Sequence, residues 1–251
     1  MHPRLTTLQL DGVSVPIGTY GALLVLALGV GAWLALRRGL RAGLEEGALI
    51  SSLALALAGG FVGAFALSVA VRAAQLGGLR AAFAQPGIVY FGALFAGAAA
   101  LAVAARSFGL PVRLTLDAML PAVPVAHAIG RVGCYFGGCC YGAASELPWA
   151  VQYPGDAVSR HPWPLYEAAA LCVLAVLFWR PAQLGGGYVS GRRAGGYVLS
   201  YACVRFLLEP LRGDAVRGVF GAAGMSTSQI IAVAVLGVSV YVAVKRLRLA
   251  L

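Results

Sequence analysis

The chain has 251 residues, of which 60% are hydrophobic and only 11% are charged, with a mean hydropathy of +0.84. A soluble domain carries about 25% charged residues, so this composition excludes an ordinary cytosolic fold and implies a chain whose solvent is mostly lipid. The net charge of +10 does not indicate nucleic acid, because the basic residues fall in short clusters between apolar stretches, as in juxtamembrane loops.

A spanning helix needs about 20 mostly apolar residues. Val15–Leu36 meets this after a polar leader and is read as a retained membrane helix, with no cleavage site behind it. Ala48–Val71 and Gly87–Ala105 follow, and Met225–Val244 is equally clear. Three weaker runs lie between them: Leu114 to about Gly130, Pro164–Trp179 and Ala194–Leu211, each short or carrying a charged residue. The expected architecture is all-α: one integral-membrane domain over residues 1–251, seven transmembrane helices, and a small extracytoplasmic cap over 134–163, where Pro148, Pro154 and Gly155 interrupt any helix.

Seven spans place the termini on opposite sides. Of the 19 basic residues, eleven fall in one set of loops: Arg37, Arg38, Arg41, Arg106, Arg113, Arg180, Arg192, Arg193, Lys245, Arg246 and Arg248. Six fall in the other: Arg4, Arg72, Arg80, Arg160, Arg212 and Arg217. The richer side is expected to be cytoplasmic, with the N-terminus outside. Arg131 and Arg205 belong to neither set. They lie within or at the edge of weak spans, as do Asp117, Glu167 and Glu209. An ionisable group at a span centre costs roughly 2.5–3.5 kcal/mol on insertion scales, so such a group marks a functional site or a buried ion pair.

Arg205 and Glu209 are spaced to pair on one helix face, and Asp117 suits a helix-capping role. Arg131 has no acidic neighbour within four positions, so its partner comes from elsewhere in the chain or from a ligand. His127 lies one helical turn before it. Gly130, Gly133 and Gly142 belong to a glycine-rich run that suits either close helix packing or backbone facing a head group. Trp163 and Tyr166 suit an interfacial belt, and Ser226 suits the N-cap of the last helix. Five cysteines, an odd number, argue against a complete disulfide framework. Cys134, Cys139 and Cys140 are expected to act as small packing residues. No nucleotide motif is visible, and no metal or other cofactor is required.

Four ordered motifs resemble the prolipoprotein diacylglyceryl transferase family. They are the early Tyr20-Gly21; Asp117 followed by Pro121, Pro124 and Gly-Arg-x-Gly at Gly130–Gly133; Arg-His-Pro-x-x-Leu-Tyr-Glu at Arg160–Glu167; and Tyr-x-x-x-Arg-x-x-x-Glu-x-x-Arg at Tyr201–Arg212. A Ser-x-x-Gln helix start at Ser226–Gln229 completes the likeness, which covers nearly the whole chain. The resemblance implies seven membrane helices in the bacterial inner membrane. It also implies transfer of a diacylglyceryl group from phosphatidylglycerol to the lipobox cysteine of a preprolipoprotein, with release of glycerol phosphate.

By the same resemblance, Arg131 and Arg205 take the positions of essential arginines, and Tyr20, Glu209 and Arg212 fall on other functional positions. Gly130, Gly133, Gly142, Tyr166, Glu167 and Tyr201 complete the candidate substrate-binding set. The chain departs from the family where a histidine of the third helix reads Phe91, an arginine of the second reads Phe61, and the asparagine after Gly-Arg-x-Gly reads Cys134. His127 or His161 is then the expected base. Two other classes are a lipid or lipoprotein binder without catalysis, and a membrane thiol oxidoreductase. The second is opposed by the absence of Cys-x-x-Cys and by the strain of an adjacent Cys139–Cys140 bridge.

Overall fold

A computed structural model describes residues 4–10, 13–84, 87–179, 192–214, 219–220 and 224–248; Arg180 and Arg217, counted above among the loop cations, lie outside them. The chain begins with an antiparallel hairpin, β1 (Arg4–Leu10) and β2 (Val13–Gly18). The first helix, α1, therefore runs Thr19–Arg41 and not from Val15. Val13, Val15 and Ile17 are β-branched and alternate with Ser14 and Pro16, a period of two that suits a strand.

The second helix, α2 (Glu46–Leu76), starts at Glu45, whose side chain accepts from the N–H groups of Gly47 and Ala48 and is thereby held below the usual carboxylate range. Gly77, at φ +74°, ends it. A short α3 (Leu79–Ala84) precedes α4 (Tyr90–Ser107). α2 and α4 meet along small residues. A Cβ built on Gly59 would lie 2.6 Å from Ala100 Cβ, and one on Gly60 would lie 3.3 Å from the Ala93 carbonyl oxygen. Small residues let membrane helices approach this closely. Phe61, by contrast, is 70% exposed on the outer side of α2, so the side chain at this departure from the family points away from the interior.

The fourth expected span is two helices, α5 (Val112–Met119) and α6 (Ala122–Gly137), broken around Leu120–Pro121. α1 packs on α6: a Cβ on Gly31 would lie 2.8 Å from Ala126 Cβ. Beyond α6, the strands β3 (Val151–Gln152) and β4 (Ser159–Arg160) form a hairpin. Within it Arg160 pairs with Asp156 and holds that carboxylate below its usual range.

α7 (Trp163–Leu177) opens with Pro164 in its first turn. α8 (Arg192–Leu208) gives way at Pro210 to a single 3₁₀ turn, Glu209–Leu211. Strands β5 (Val219–Phe220) and β6 (Met225–Ser226) pair before α9 (Thr227–Arg248). Ser226 caps α9 as expected, in a reciprocal box. The Gln229 N–H donates to Ser226 Oγ at 3.2 Å, and the Ser226 N–H donates to Gln229 Oε1 at 3.0 Å. Asp117 is also a cap, but of another helix: its Oδ1 accepts from the Ala194 N–H, in the first turn of α8, at 2.9 Å.

Helix covers most of each expected span, with Val15–Gly18 of the first in strand, and the three small hairpins qualify the all-α expectation. Four segments, Thr19–Arg41, Glu46–Leu76, Tyr90–Ser107 and Val112–Gly137, are long and apolar enough to cross a bilayer; Trp163–Leu177 and Thr227–Ser239 are shorter apolar helices. Val25, Phe61, Val103, Val176, Leu207 and Val238 are exposed, an apolar exterior that fits lipid as the surrounding medium. The interior is polar where α6, α7 and α8 meet.

Candidate active site

Helix register assembles the interior cluster. His127 and Arg131 share one face of α6, four residues apart. Trp163 and Glu167 repeat that spacing on α7, and Tyr201, Arg205 and Glu209 follow it along α8 into its 3₁₀ turn. Glu167 sits at the centre, fully buried. Its Oε2 lies 2.8 Å from Arg131 Nε, its Oε1 accepts the Tyr201 hydroxyl at 2.7 Å, and Oε1 is 3.9 Å from Arg205 Nε. Glu167 is therefore the long-range partner that Arg131 lacks in its own helix.

Arg205 does pair with Glu209, at 2.7 Å, and the same Nη2 donates to Ser228 Oγ at 2.8 Å. Both contacts fall on this one nitrogen, and Nε is the one that faces Glu167. Its Nη1 is buried with no hydrogen-bond partner among the described residues. A buried donor left unmade is costly, and a guanidinium edge held in this way suits an anionic ligand.

Trp163 is the pivot. From its place near a span end it is expected at the membrane interface, yet it is fully buried. The guanidinium carbons of Arg131, Arg205 and Arg212 lie 5.4, 4.8 and 5.0 Å from its ring centre, within cation–π range. Its indole N–H donates at 2.7 Å to the Leu208 carbonyl, which the end of α8 leaves without a helical partner. One ring thus sets the spacing of three guanidinium groups. Arg212 is fixed further by Asp214, at 2.5 and 2.8 Å.

His127 is built in more tightly than a free base. Arginine can only donate, so the 3.1 Å contact from Arg131 Nε occupies the lone pair on His127 Nε2. The ring stacks on Tyr90 at 3.7 Å between centroids, and Nδ1 is buried without a partner among the described residues. Tyr90 also reaches Tyr197, hydroxyl to hydroxyl, at 3.3 Å. The neighbouring Phe91 is buried against Tyr201, so an apolar ring fills the position of the family histidine.

His161 stands apart from this cluster. Its Nδ1 is 3.2 Å from the Tyr166 hydroxyl, which also accepts the Trp149 indole N–H at 2.7 Å. The backbone around it knits three segments together: Gly142 N–H to the His161 carbonyl, Ala143 N–H to the Leu211 carbonyl, and Gly213 N–H to the Tyr141 carbonyl. Gly142 has to be glycine here, because a Cβ would lie 2.5 Å from His161 Cβ and 2.8 Å from the Leu211 carbonyl oxygen. Gly133 serves packing against α1, since a Cβ built there would lie 3.1 Å from Leu23 Cβ and 3.5 Å from a Tyr20 ring carbon. Gly130 has open space beside it.

The structure therefore joins Arg131, His127, Glu167, Tyr201, Arg205, Glu209 and Arg212 in one cluster, while Tyr166 and His161 pair with each other apart from it and Tyr20 lies on the α1–α6 contact. Tyr90, Ser228 and Asp214 belong with it although the sequence does not single them out, and Trp163, expected as an interfacial anchor, lies inside it. Ser228 lies inside the Ser-x-x-Gln motif, where the capping pair draws attention to its neighbours.

These features define a helical membrane protein with a buried, arginine-rich polar site. The family model described as prolipoprotein diacylglyceryl transferase matches residues 7–245, and the chain belongs to that family. A protein of Streptomyces coelicolor named phosphatidylglycerol–prolipoprotein diacylglyceryl transferase 1 is 34% identical over 143 residues, covering 55% of this chain and 41% of the relative. Similarly named proteins of Clostridium tetani and Sinorhizobium medicae are 32% identical over 164 residues and 36% identical over 131, covering 62% and 49% of this chain and 63% and 47% of theirs. The chain spans roughly half the length of these curated relatives.

Proposed function

We propose that this chain transfers a diacylglyceryl group from phosphatidylglycerol to the cysteine thiol of a preprolipoprotein lipobox, releasing glycerol phosphate. The observation that carries this reading is the buried, unpartnered Nη1 of Arg205, beside two further guanidiniums spaced around Trp163. Negative charge grows on the phosphate oxygens as the glyceryl carbon–oxygen bond breaks. Preorganised guanidiniums in a dry site stabilise that charge without reorganising. Arg205 offers its free edge to the phosphate, and Arg131 and Arg212 set the field around it. Glu167 holds Arg131 and Arg205 in place, and Tyr201 holds Glu167.

The geometry supports His127 as a positioning residue and not as the base. Its Nε2 lone pair is taken by Arg131, and its Nδ1–H is left as one more donor for the head group. The lipid donor and the acceptor peptide come from the names of the relatives together with this chemistry. Expression of the full chain in a bacterium depleted of its own transferase tests the reading. Restored growth and lipoprotein lipidation are expected; a stably expressed chain that restores neither would oppose it.

The proposed architecture is seven spans with the N-terminus outside, the C-terminus inside, and 134–163 as an outer cap. It is supported by the four segments long and apolar enough to cross a bilayer, by the shorter apolar helices α7 and α9, and by the eleven-to-six loop asymmetry. A reporter fused after Leu251 should be cytoplasmic, and one inserted near Pro154 should be outside. The reverse at both positions would rule this topology out.

A further inference from the structure

Cys134, Cys139 and Cys140 lie at the end of α6 and in the turn that follows. Their three sulfur atoms are all within 4.8 Å of one another. Two left-handed backbone positions bring them together: Gly138 at φ +74° ends the helix, and Cys140, at φ +58°, is the one non-glycine residue with positive φ among those described. Such a conformation disfavours a side chain, and here it turns Cys140 back toward Cys134. Cys134 is buried, Cys140 is half-buried and Cys139 is exposed. Small packing residues, the role expected from the sequence, would not need three sulfurs converging from a strained turn.

We propose that Cys134, Cys139 and Cys140 bind one thiophilic, redox-inert cation of the zinc class, with a fourth position left open for the thiol of the acceptor peptide. A tetrahedral zinc with Zn–S bonds of about 2.3 Å needs sulfurs about 3.8 Å apart. The three sulfurs, all within 4.8 Å of one another, lie close to that spacing. Three protein ligands and one open position are the pattern of a reactive zinc site, whereas structural sites are closed by a fourth protein ligand. Three thiolates with one dication carry a net charge of −1. Arg131 and Arg212, the guanidiniums that set the field around the phosphate in the reading above, both act electrostatically on Cys140.

The chemistry rests on the transferase reading above and supplies what Phe91 and the engaged His127 do not. The acceptor S–H loses its proton to solvent on entering the fourth position, because a metal-bound thiol is deprotonated. The sulfur lone pair then attacks the glyceryl carbon that bears the phosphate. The C–S bond forms as the C–O bond breaks, and the electron pair leaves on glycerol phosphate. The product thioether is uncharged, a weaker ligand than the thiolate, and dissociates. No oxidant or reductant enters.

The test uses the full chain purified in detergent, loaded with Zn²⁺ or with Co²⁺ as a spectroscopic probe. We expect about one zinc per chain, loss of that zinc in the Cys134→Ser/Cys139→Ser/Cys140→Ser protein, and thiolate-to-Co²⁺ charge-transfer absorption in the loaded wild type. Cys139→Ser, at the exposed position, covers the case in which the triple variant does not fold, and should weaken binding at least tenfold. A lipobox peptide should change the Co²⁺ spectrum, and its Cys→Ser analogue should not. Wild-type protein that takes up no stoichiometric zinc or cobalt overturns the site. Bound metal whose spectrum ignores the peptide, or full transfer by the metal-free protein, overturns its role in thiol activation and leaves the transferase reading intact. Metal and peptide responses as expected, with no transfer from phosphatidylglycerol, support the site and count against that lipid donor instead.

Discussion

Arg205→Lys is expected to lower transfer by about 10²–10³-fold, the cost of losing one preorganised donor to a developing oxyanion, or about 2.7–4 kcal/mol. Lysine keeps the charge and can still meet Glu209. It cannot also reach Ser228 and present a third, free nitrogen in the same plane. Arg131→Lys should act in the same direction, because its Nε touches both Glu167 and His127. The check is paired measurement of phosphatidylglycerol binding and transfer to a lipobox peptide, beside thermal stability. A catalytic clamp shows its loss in turnover with the fold retained. Two Lys variants with wild-type turnover and lowered stability would make the arginines purely structural.

Glu167→Gln is expected to be the most damaging change to stability. It removes the one carboxylate between the buried Arg205 and the largely enclosed Arg131. Breaking a buried ion pair by deleting one partner costs about 3–5 kcal/mol, because the remaining charge is uncompensated. In a protein of ordinary marginal stability that is a large fraction of the total. The variant should yield little folded protein in detergent. Glu167→Asp, which keeps the charge on a shorter stem, should recover part of it. Thermal unfolding of the three proteins, followed by size-exclusion chromatography, checks this order; equal stability of wild type and Glu167→Gln would contradict the central role given to this carboxylate.

Much of this site is legible in the sequence because charge inside a span is rare. Arg131, Arg205, Glu167 and Glu209 stand out against apolar surroundings, and the pairing of Arg205 with Glu209 follows from helical spacing alone. The partner of Arg131 does not, since Glu167 lies on another helix and no local rule links α6 to α7. Trp163 is misplaced by its position near a span end, where tryptophan commonly meets the head groups. Only tertiary packing shows it enclosed by three guanidiniums. His127 and Arg131 read correctly as neighbours, but which imidazole nitrogen is engaged depends on side-chain geometry.

The start of α1 is missed for a different reason. Residues 13–17 are apolar enough to extend a membrane helix, and only their period of two and Pro16 mark them as strand. The fourth span reads as one weak helix because averaging over Leu114–Gly130 hides the break at Leu120–Pro121. The cysteines are visible from the start, yet their convergence needs the left-handed turn at Gly138 and Cys140, which spacing does not reveal.

The most direct measurement reconstitutes the full chain in vesicles containing phosphatidylglycerol and supplies a synthetic lipobox peptide. Mass spectrometry of the peptide and assay of the aqueous phase are read together. The account predicts a diacylglyceryl adduct on the peptide cysteine, an equimolar release of glycerol phosphate, and neither product in vesicles lacking phosphatidylglycerol. A folded, lipid-embedded chain that yields no adduct, while a curated relative in the same vesicles does, would contradict it.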